Sequence, residues 1–257
     1  MASPYDQMNF LSHVHRDIDI EKHLEILFAN SAIGQLNFLP LYRDCMARSG
    51  TQVSSWKVFR RAQRALTLAQ YFFNSLSIEG GKIECGVNQG FSSLMMAKIA
   101  KMNNFHFTGA DFHMVDSFEG LSQPTLGDEI DKQRSASGEE LPVFSHQAGH
   151  FATPVENVQT LMEEYPDAVI HKGWIPDVFS KLPDIEWSFV HIDVDLYEPT
   201  KACLSYFLPR MVKGGIIVND DFGSPLFPGG GHGWQEILES QNLSYSVLDT
   251  GQAIFIK

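Results

Sequence analysis

Trp187-Ser-Phe-Val-His-Ile-Asp193-Val-Asp195-Leu-Tyr197-Glu-Pro-Thr200, followed by Gly214-Gly-Ile-Ile-Val-Asn-Asp220-Asp221-Phe222, is the passage whose reading decides the fold. Each half is a short apolar run that ends in acids, as a strand buried on both faces would be. Asp193 and Asp220 stand 27 positions apart (220 − 193). That separation fits one β-turn-α-turn-β unit, so both acidic ends reach the same edge of a parallel sheet. With strands roughly 4.8 Å apart, three or four carboxylates meeting there repel one another unless a cation or a proton lies between them. The passage therefore predicts a site.

Outward toward the N-terminus the same alternation continues. Lys82-Ile83-Glu84-Cys85 reads as a strand, Gly86-Val87-Asn88-Gln89-Gly90 as a tight turn, and Ser92 to Met102 as a helix. Such a turn offers backbone N–H groups at a helix N-terminus, a seat for a carboxylate or phosphate. Its register, Glu-x-Gly-x-x-x-Gly, departs from the dinucleotide Gly-x-Gly-x-x-Gly and is closer to the first motif of S-adenosylmethionine (AdoMet) enzymes. The next strand is expected over Phe105 to Val115, ending in Asp116-Ser117-Phe118-Glu119-Gly120. Asp116 at its end suits a ribose diol, with Asp111 as a rival for that role. Ser122 to Gly149 lacks a clear period and reads as a lid or binding loop. Thr153-Pro154-Val155-Glu156 matches a capping box for a helix toward Tyr165. Ala168 to His171 form a strand, after which Trp174, beside Gly173, either stacks on a flat ligand or packs in the core.

Two helices precede this region. Ile20, Leu24, Leu27 and Phe28 recur at helical spacing behind a cap at Asp17 or Asp19. Ser55 to Leu76 places Val58, Phe59, Ala62, Leu66, Ala69, Phe72 and Phe73 on one face, with Lys57, Arg60, Arg61 and Arg64 largely opposite. Those basic residues form a solvated face or cover an anionic ligand. At the other end, Phe227-Pro-Gly-Gly-Gly-His232-Gly-Trp234 reads as a flexible segment leading to a helix from Gln235. The final segments flanking Asp249-Thr-Gly-Gln form a β-hairpin. The order from Ile83 onward is a β-α repeat closed by a hairpin, hence a mostly parallel sheet with one antiparallel strand.

Composition sets the outer limits. A chain of 257 residues fits one large α/β domain, organised as an N-terminal helical extension or lid over 1–78 and a core over 79–257. The net charge of −12 disfavours nucleic acid and anionic membrane as partners. Cys45, Cys85 and Cys203 are odd in number and widely spaced, which suggests reduced thiols and a cytoplasmic protein. No stretch approaches the roughly 18 apolar residues of a transmembrane helix, and the N-terminus lacks signal-peptide architecture.

Taken in order and spacing, Glu84-Cys-Gly86-Val-Asn-Gln-Gly90-Phe-Ser92-Ser93, Asp116-Ser117-Phe118-Glu119-Gly120, Gly173-Trp174, the Asp193/Asp195 segment and Asp220-Asp221-Phe222 resemble the macrocin O-methyltransferase (TylF-like) family. The novobiocin sugar 4-O-methyltransferase belongs to the same group. The resemblance covers Gly80 to the C-terminus. It implies a class I AdoMet-dependent methyltransferase fold, Rossmann-like, with a seven-stranded sheet and a C-terminal antiparallel hairpin. It further implies methyl transfer to a hydroxyl of a small molecule, often a sugar of a secondary metabolite, assisted by Mg²⁺, and an oligomer is plausible. By resemblance, Asp193, Asp220 and Asp221 match the metal acids, and Asp193 also the general base. Glu84, Gly86, Val87, Gly90, Ser92, Ser93, Asp116, Ser117, Gly173, Trp174 and Asp193 fall in the AdoMet-contacting segments. The chain departs from the family after Asp221, where the glycine run replaces a Pro-Gly-Ala-type turn with basic residues.

Several residues keep two readings. His191 shares a strand face with Asp193 and is either a buried, hydrogen-bonded histidine or a proton relay. Asp195 turns away or helps cap the next helix. His232 is an alternative base, and Tyr197 orients its loop or faces the pocket. Two other functions compete: a metal-dependent glycosyltransferase using Asp-x-Asp, and a non-catalytic AdoMet-binding protein.

Overall fold

The computed structural model describes residues 20–29, 37–52, 58–134, 137–138 and 140–257, and the expectations placed on Asp17, Asp19, Ser55 and Lys57 lie outside them. A seven-stranded sheet is built from β1 (Gly81–Cys85), β2 (Phe112–Asp116), β5 (Val169–Lys172), β6 (Trp187–Ile192), β7 (Met211–Asn219), β8 (Ser246–Val247) and β9 (Ala253–Ile256), in the order 5-2-1-6-7-9-8. Neighbours from β5 across to β7 pair in parallel, whereas β9 runs antiparallel to both β7 and β8. This is the expected mostly parallel sheet closed by an antiparallel hairpin.

Helices cover both faces. On one side lie α1 (Ile20–Ala29), α2 (Phe38–Ser49), α3 (Val58–Ser75), α4 (Phe91–Asn103) and α5 (Val155–Leu161); on the other lie α6 (Tyr197–Phe207) and α7 (Pro228–Ser240). Side chains of the strands alternate between the two cores. Met114, Phe189 and Val218 point into the first, while Val115, Val190 and Ile217 point into the second. Period-two alternation with both faces apolar is what makes the strands read as continuous apolar runs. The α3 helix joins the first core through Ala62, Ala65, Leu68, Ala69 and Phe72, so the N-terminal helices share a core with the sheet. All three cysteines are buried free thiols. Among the described residues, no helix is long and apolar enough to cross a membrane.

Several local expectations are corrected. The second strand begins at Phe112 rather than Phe105, because Gly109 and Asp111 both adopt positive φ and hold the preceding segment in turns. Asp111 therefore sits at the wrong end of β2 for a ligand. The Ser122–Gly149 segment is not structureless: it contains a short 3-10 turn, Leu126–Asp128, and a two-stranded hairpin of β3 (Asp131–Arg134) and β4 (Glu140–Val143). Thr153 does not cap α5; its hydroxyl donates instead to Asn88 Oδ1 at 3.0 Å, tying the start of α5 to the glycine turn. The glycine run is not a flexible lead-in, since Gly229 to Gly233 form the first turns of α7. A Cβ at Gly229 would lie 1.8 Å from Asp128 Oδ1, and one at Gly231 would lie 2.3 Å from the Phe222 carbonyl. These glycines are there for close approach rather than for freedom.

Candidate active site

The chain leaves β1 toward β2 and β5 on one side, and β6 leads to β7 on the other. The sheet order thus reverses between β1 and β6, the place where open α/β sheets bind ligands beyond their carboxyl ends. A cavity of about 860 Å³ opens there. Backbone bonds set its floor: Asp193 N–H donates to the Cys85 carbonyl at 2.9 Å, and Asp220 N–H to the Ile192 carbonyl at 2.9 Å. The acids after β6 and β7 consequently stand side by side, as their spacing predicts.

Gly86 makes this junction possible. Its φ is +90°, and a Cβ there would fall 1.8 Å from the Asp193 carbonyl oxygen. Only glycine combines that conformation with that proximity. The turn that follows is held by Asp116, whose Oδ2 accepts from Val87 N–H at 2.7 Å and Asn88 N–H at 2.8 Å, while Oδ1 accepts from Phe118 N–H at 2.7 Å. The acid expected to hold a ribose diol thus first organises the glycine turn. It still lines the cavity, as do Gly86, Val87, Ser92, Ser117, Gly173 and Trp174.

The other predicted cofactor residues lie behind this wall. Glu84 is fully buried; it accepts from the hydroxyl of Ser93, also fully buried, and pairs with His191 Nδ1 at 2.9 Å. Gly90 precedes α4 at φ +79° and packs against Leu161.

The acid cluster is electrostatically loaded. Ligand atoms of His191, Asp193 and Asp220 lie within 4.8 Å of one another. Burial, reinforced by Asp220 and Asp221, raises Asp193 well above the usual carboxylate range; Asp195 is raised by burial and by Asp221 and Asp193. Burial also pushes Asp221 up to about 6. Asp220 is the exception. Burial would raise it, but Arg64, His191 and Gln252 more than offset that and hold it well below the ordinary value. Gln252 Nε2 donates to Asp220 Oδ1 at 2.6 Å. For His191, burial would lower the imidazole, but Asp220 and Glu84 raise it to about 10, so it carries a proton at neutral pH. Its Nε2 lies 3.7 Å from Asp220 Oδ1 and makes no hydrogen bond among the described residues.

Two contacts here go beyond what the sequence reading names. Arg64 reaches from α3 to bond both the carboxylate and the backbone carbonyl of Asp220, and stands 3.7 Å from Asp221 Oδ1. With Arg60 and Arg61 it lines the cavity, so the reading of these basic residues as a cover over the site applies, although Arg60 also faces solvent. Asp128 is the second. Buried in the 3-10 turn, it accepts from Tyr197 N–H at 2.7 Å and from Thr125 N–H at 2.8 Å, capping α6 across 69 positions. Asp195 does not cap that helix. Its backbone N–H donates instead to Asp221 Oδ2 at 2.9 Å.

Two other candidates point elsewhere. His232 Nδ1 donates to the Gly127 carbonyl at 2.9 Å on the exposed side of α7, outside the cavity lining. The Tyr197 hydroxyl donates to Glu236 and accepts from Lys201 at 3.2 Å, outside the cavity wall.

Comparison with known proteins fits this geometry. The chain is 30% identical over 149 residues to the 8-demethyl-8-(2,3-dimethoxy-alpha-L-rhamnosyl)-tetracenomycin-C 4'-O-methyltransferase of Streptomyces olivaceus, covering 56% of this chain and 54% of that protein. It is 23% identical over 150 residues to the demethyldecarbamoylnovobiocin O-methyltransferase of Streptomyces niveus, covering 57% and 54%. The matches span about half the length of these curated relatives. Among solved structures, a calicheamicin methyltransferase superposes with a TM-score of 0.62 at 17% identity, over 89% of this chain and 96% of that one. The O-methyltransferase NovP superposes at 0.61 and 18% identity, over 76% and 80%. Both share the class I methyltransferase fold. The model of the macrocin-O-methyltransferase (TylF) family matches residues 60–248, well over half of the chain, and the protein belongs to that family.

Proposed function

We propose that this protein transfers a methyl group from AdoMet to a hydroxyl of a small molecule, a sugar of a secondary metabolite being the acceptor class that its relatives' names suggest. The observation that carries the reading is the side-by-side placement of Asp193 and Asp220 at the β1/β6 reversal, on the wall of a cavity large enough for cofactor and acceptor together.

The residues fit a divalent cation. Carboxylate oxygens are hard donors of the kind Mg²⁺ takes, and the carboxylates facing the cavity outnumber the cations Arg64 and His191 set against them. Asp193 and Asp220 would hold the ion. Asp221, next along the chain and on the same cavity wall, would support them. When bound, Mg²⁺ lowers the pKa of the acceptor hydroxyl and orients it. AdoMet supplies a methyl on a sulfonium, which departs as a thioether while the acceptor's oxygen–carbon bond forms.

The chain's own residues do the rest. Asp193 would take the hydroxyl proton at its carboxylate. His191, clamped by Glu84 beneath the acids, holds them in place, with its Nε2 facing Asp220 as a relay for the proton. Asp116, Ser117, Gly173 and Trp174 form the nucleoside side of the wall. Gly86, Val87 and Ser92 lie under the sulfur and its tail, with Glu84, Gly90 and Ser93 supporting them from behind.

The test is a mass-spectrometric methylation assay over a panel of glycosylated and other hydroxylated acceptors, with Mg²⁺ or with EDTA. Calorimetric binding of S-adenosylhomocysteine is measured alongside. Cofactor binding with Mg²⁺-dependent gain of 14 Da in at least one acceptor is expected. Absence of cofactor binding would reject the reading.

A further inference from the structure

The AdoMet tail ends in a carboxylate that needs a partner, and the glycine turn cannot supply the whole of it. Val87 and Asn88 N–H groups, the donors such a turn usually offers an anion, are both taken by Asp116. A positive side chain is the alternative. The cations on the cavity wall are Arg60, Arg61, Arg64 and His191. Arg64 and His191 are committed to Asp220 and Glu84. Arg60 is exposed, lies beside Gly251 and feels the charges of Asp220 and Asp221, which places it at the β7 end. Arg61 remains.

Arg61 is partly buried on α3, with its guanidinium 5.1 Å from the ring centroid of Phe91, the first residue of α4. Its Nε is buried without a hydrogen-bond partner among the described residues, and it makes no ion pair there. An unpaired buried guanidinium nitrogen is costly; Arg64 Nε is likewise unpartnered, but its Nη2 bonds Asp220, whereas Arg61 makes no ion pair at all among the described residues. The direction fits as well. The nucleoside extends along the sheet toward β2 and β5, and the acceptor lies toward Asp193 and Asp220. The wall left for the tail is α3 with the start of α4.

Resting on the methyltransferase reading, we propose that Arg61 binds the cofactor's α-carboxylate, so that an arginine of the N-terminal helix completes the cofactor site. A forked guanidinium suits a carboxylate in particular.

Calorimetry on the full chain tests this with two ligands, S-adenosylhomocysteine and its decarboxylated analogue, which lacks only that carboxylate. Arg61→Gln is expected to weaken S-adenosylhomocysteine roughly ten- to a hundredfold, in the range of a hydrogen bond to a charged group. The decarboxylated analogue should bind wild type and variant within twofold, which also shows that the variant is folded. Equal weakening of both ligands, or weakening of neither, would overturn the assignment while leaving the methyltransferase reading standing. Failure of wild type to bind either ligand would remove both.

Discussion

Replacing Arg64 by Met keeps the bulk of the side chain on α3 and removes its charge from the acid cluster. In the wild-type protein the guanidinium bonds Asp220, with side-chain exposures of 21% and 16%, and stands 3.7 Å from Asp221. Breaking one side of a buried ion pair costs about 3–5 kcal/mol, because the other charge is left without compensation. Here the cost falls at the low end. Gln252 and His191 still attend Asp220, and Asp193 and Asp221 can relieve repulsion by taking up protons. About 2–3 kcal/mol is expected in EDTA, which for a chain of this size is a Tm lower by roughly 5–10 °C. A divalent cation should close most of that gap, because in the variant it no longer competes with Arg64 for the same carboxylates. At about a hundred times its Kd the ion restores about 2.7 kcal/mol. Scanning calorimetry in EDTA and in Mg²⁺, with Mn²⁺ titration followed by electron paramagnetic resonance, measures both halves. Equal Tm values in EDTA, or a variant that binds Mn²⁺ no more tightly than wild type, would refute the reasoning that Arg64 and the metal share one seat.

Three other outcomes follow from the same geometry. Asp193→Asn should lower kcat by about 10²–10⁴, the usual worth of a general base, while S-adenosylhomocysteine affinity measured by calorimetry stays within a fewfold. Gly86→Ala should cost at least about 3 kcal/mol and abolish cofactor binding, since the added methyl meets the Asp193 carbonyl in a backbone already at φ +90°; a soluble variant with wild-type affinity would sink this. The third concerns pH. His113 Nδ1 and His171 Nε2 are 2.9 Å apart on β2 and β5, and burial first, then His171, lowers His113 to about 4. The folded state thus disfavours the charged form, so its stability is full above the unfolded value near 6.5 and is lost as pH falls toward 4. Unfolding free energies from denaturant titration should show wild type losing stability relative to His113→Gln over that window, by less than about 3 kcal/mol because the imidazole is partly screened by solvent. A gap independent of pH would count against it.

The parts of the molecule that read correctly from sequence are those where one residue's chemistry is fixed by its own strand. Buried parallel strands must be apolar on both faces, so β6 and β7 announce themselves, and their acids mark the edge where the apolar requirement stops. Reading fails where a residue's meaning depends on what it meets. Gly229 to Gly233 look like a loosened segment, yet each is small because Asp128, Asp221, Phe222 or Tyr197 lies against it. Asp116 stands at the position of a ribose acceptor but is first engaged by the glycine turn 28 and 29 positions earlier. The Asp128 cap was missed because its partner Tyr197 lies 69 positions on. The Thr125-x-x-Asp128 spacing was the available signal.

The arginines of α3 show the limit most plainly. Helical periodicity says only which face is apolar, so any charged residue off that face looks solvated. A second criterion was available in the sequence. The strand ends gather four aspartates within 29 positions (Asp193 to Asp221), an excess that folding cannot leave unbalanced in a partly buried cleft. Compensation has to come from a cation elsewhere in the chain, from a bound ion or from protons on the acids themselves, and a cluster of arginines on an otherwise well-packed helix is the first place to look. Arg64, 156 positions from Asp220, meets that demand only in part, because Asp193 and Asp195 remain without a cationic hydrogen-bond partner among the described residues. The shortfall is what protons or a divalent ion would have to meet, and it is independent of any relative: if the carboxylates were already balanced within the chain, the cavity would have no electrostatic reason to recruit either.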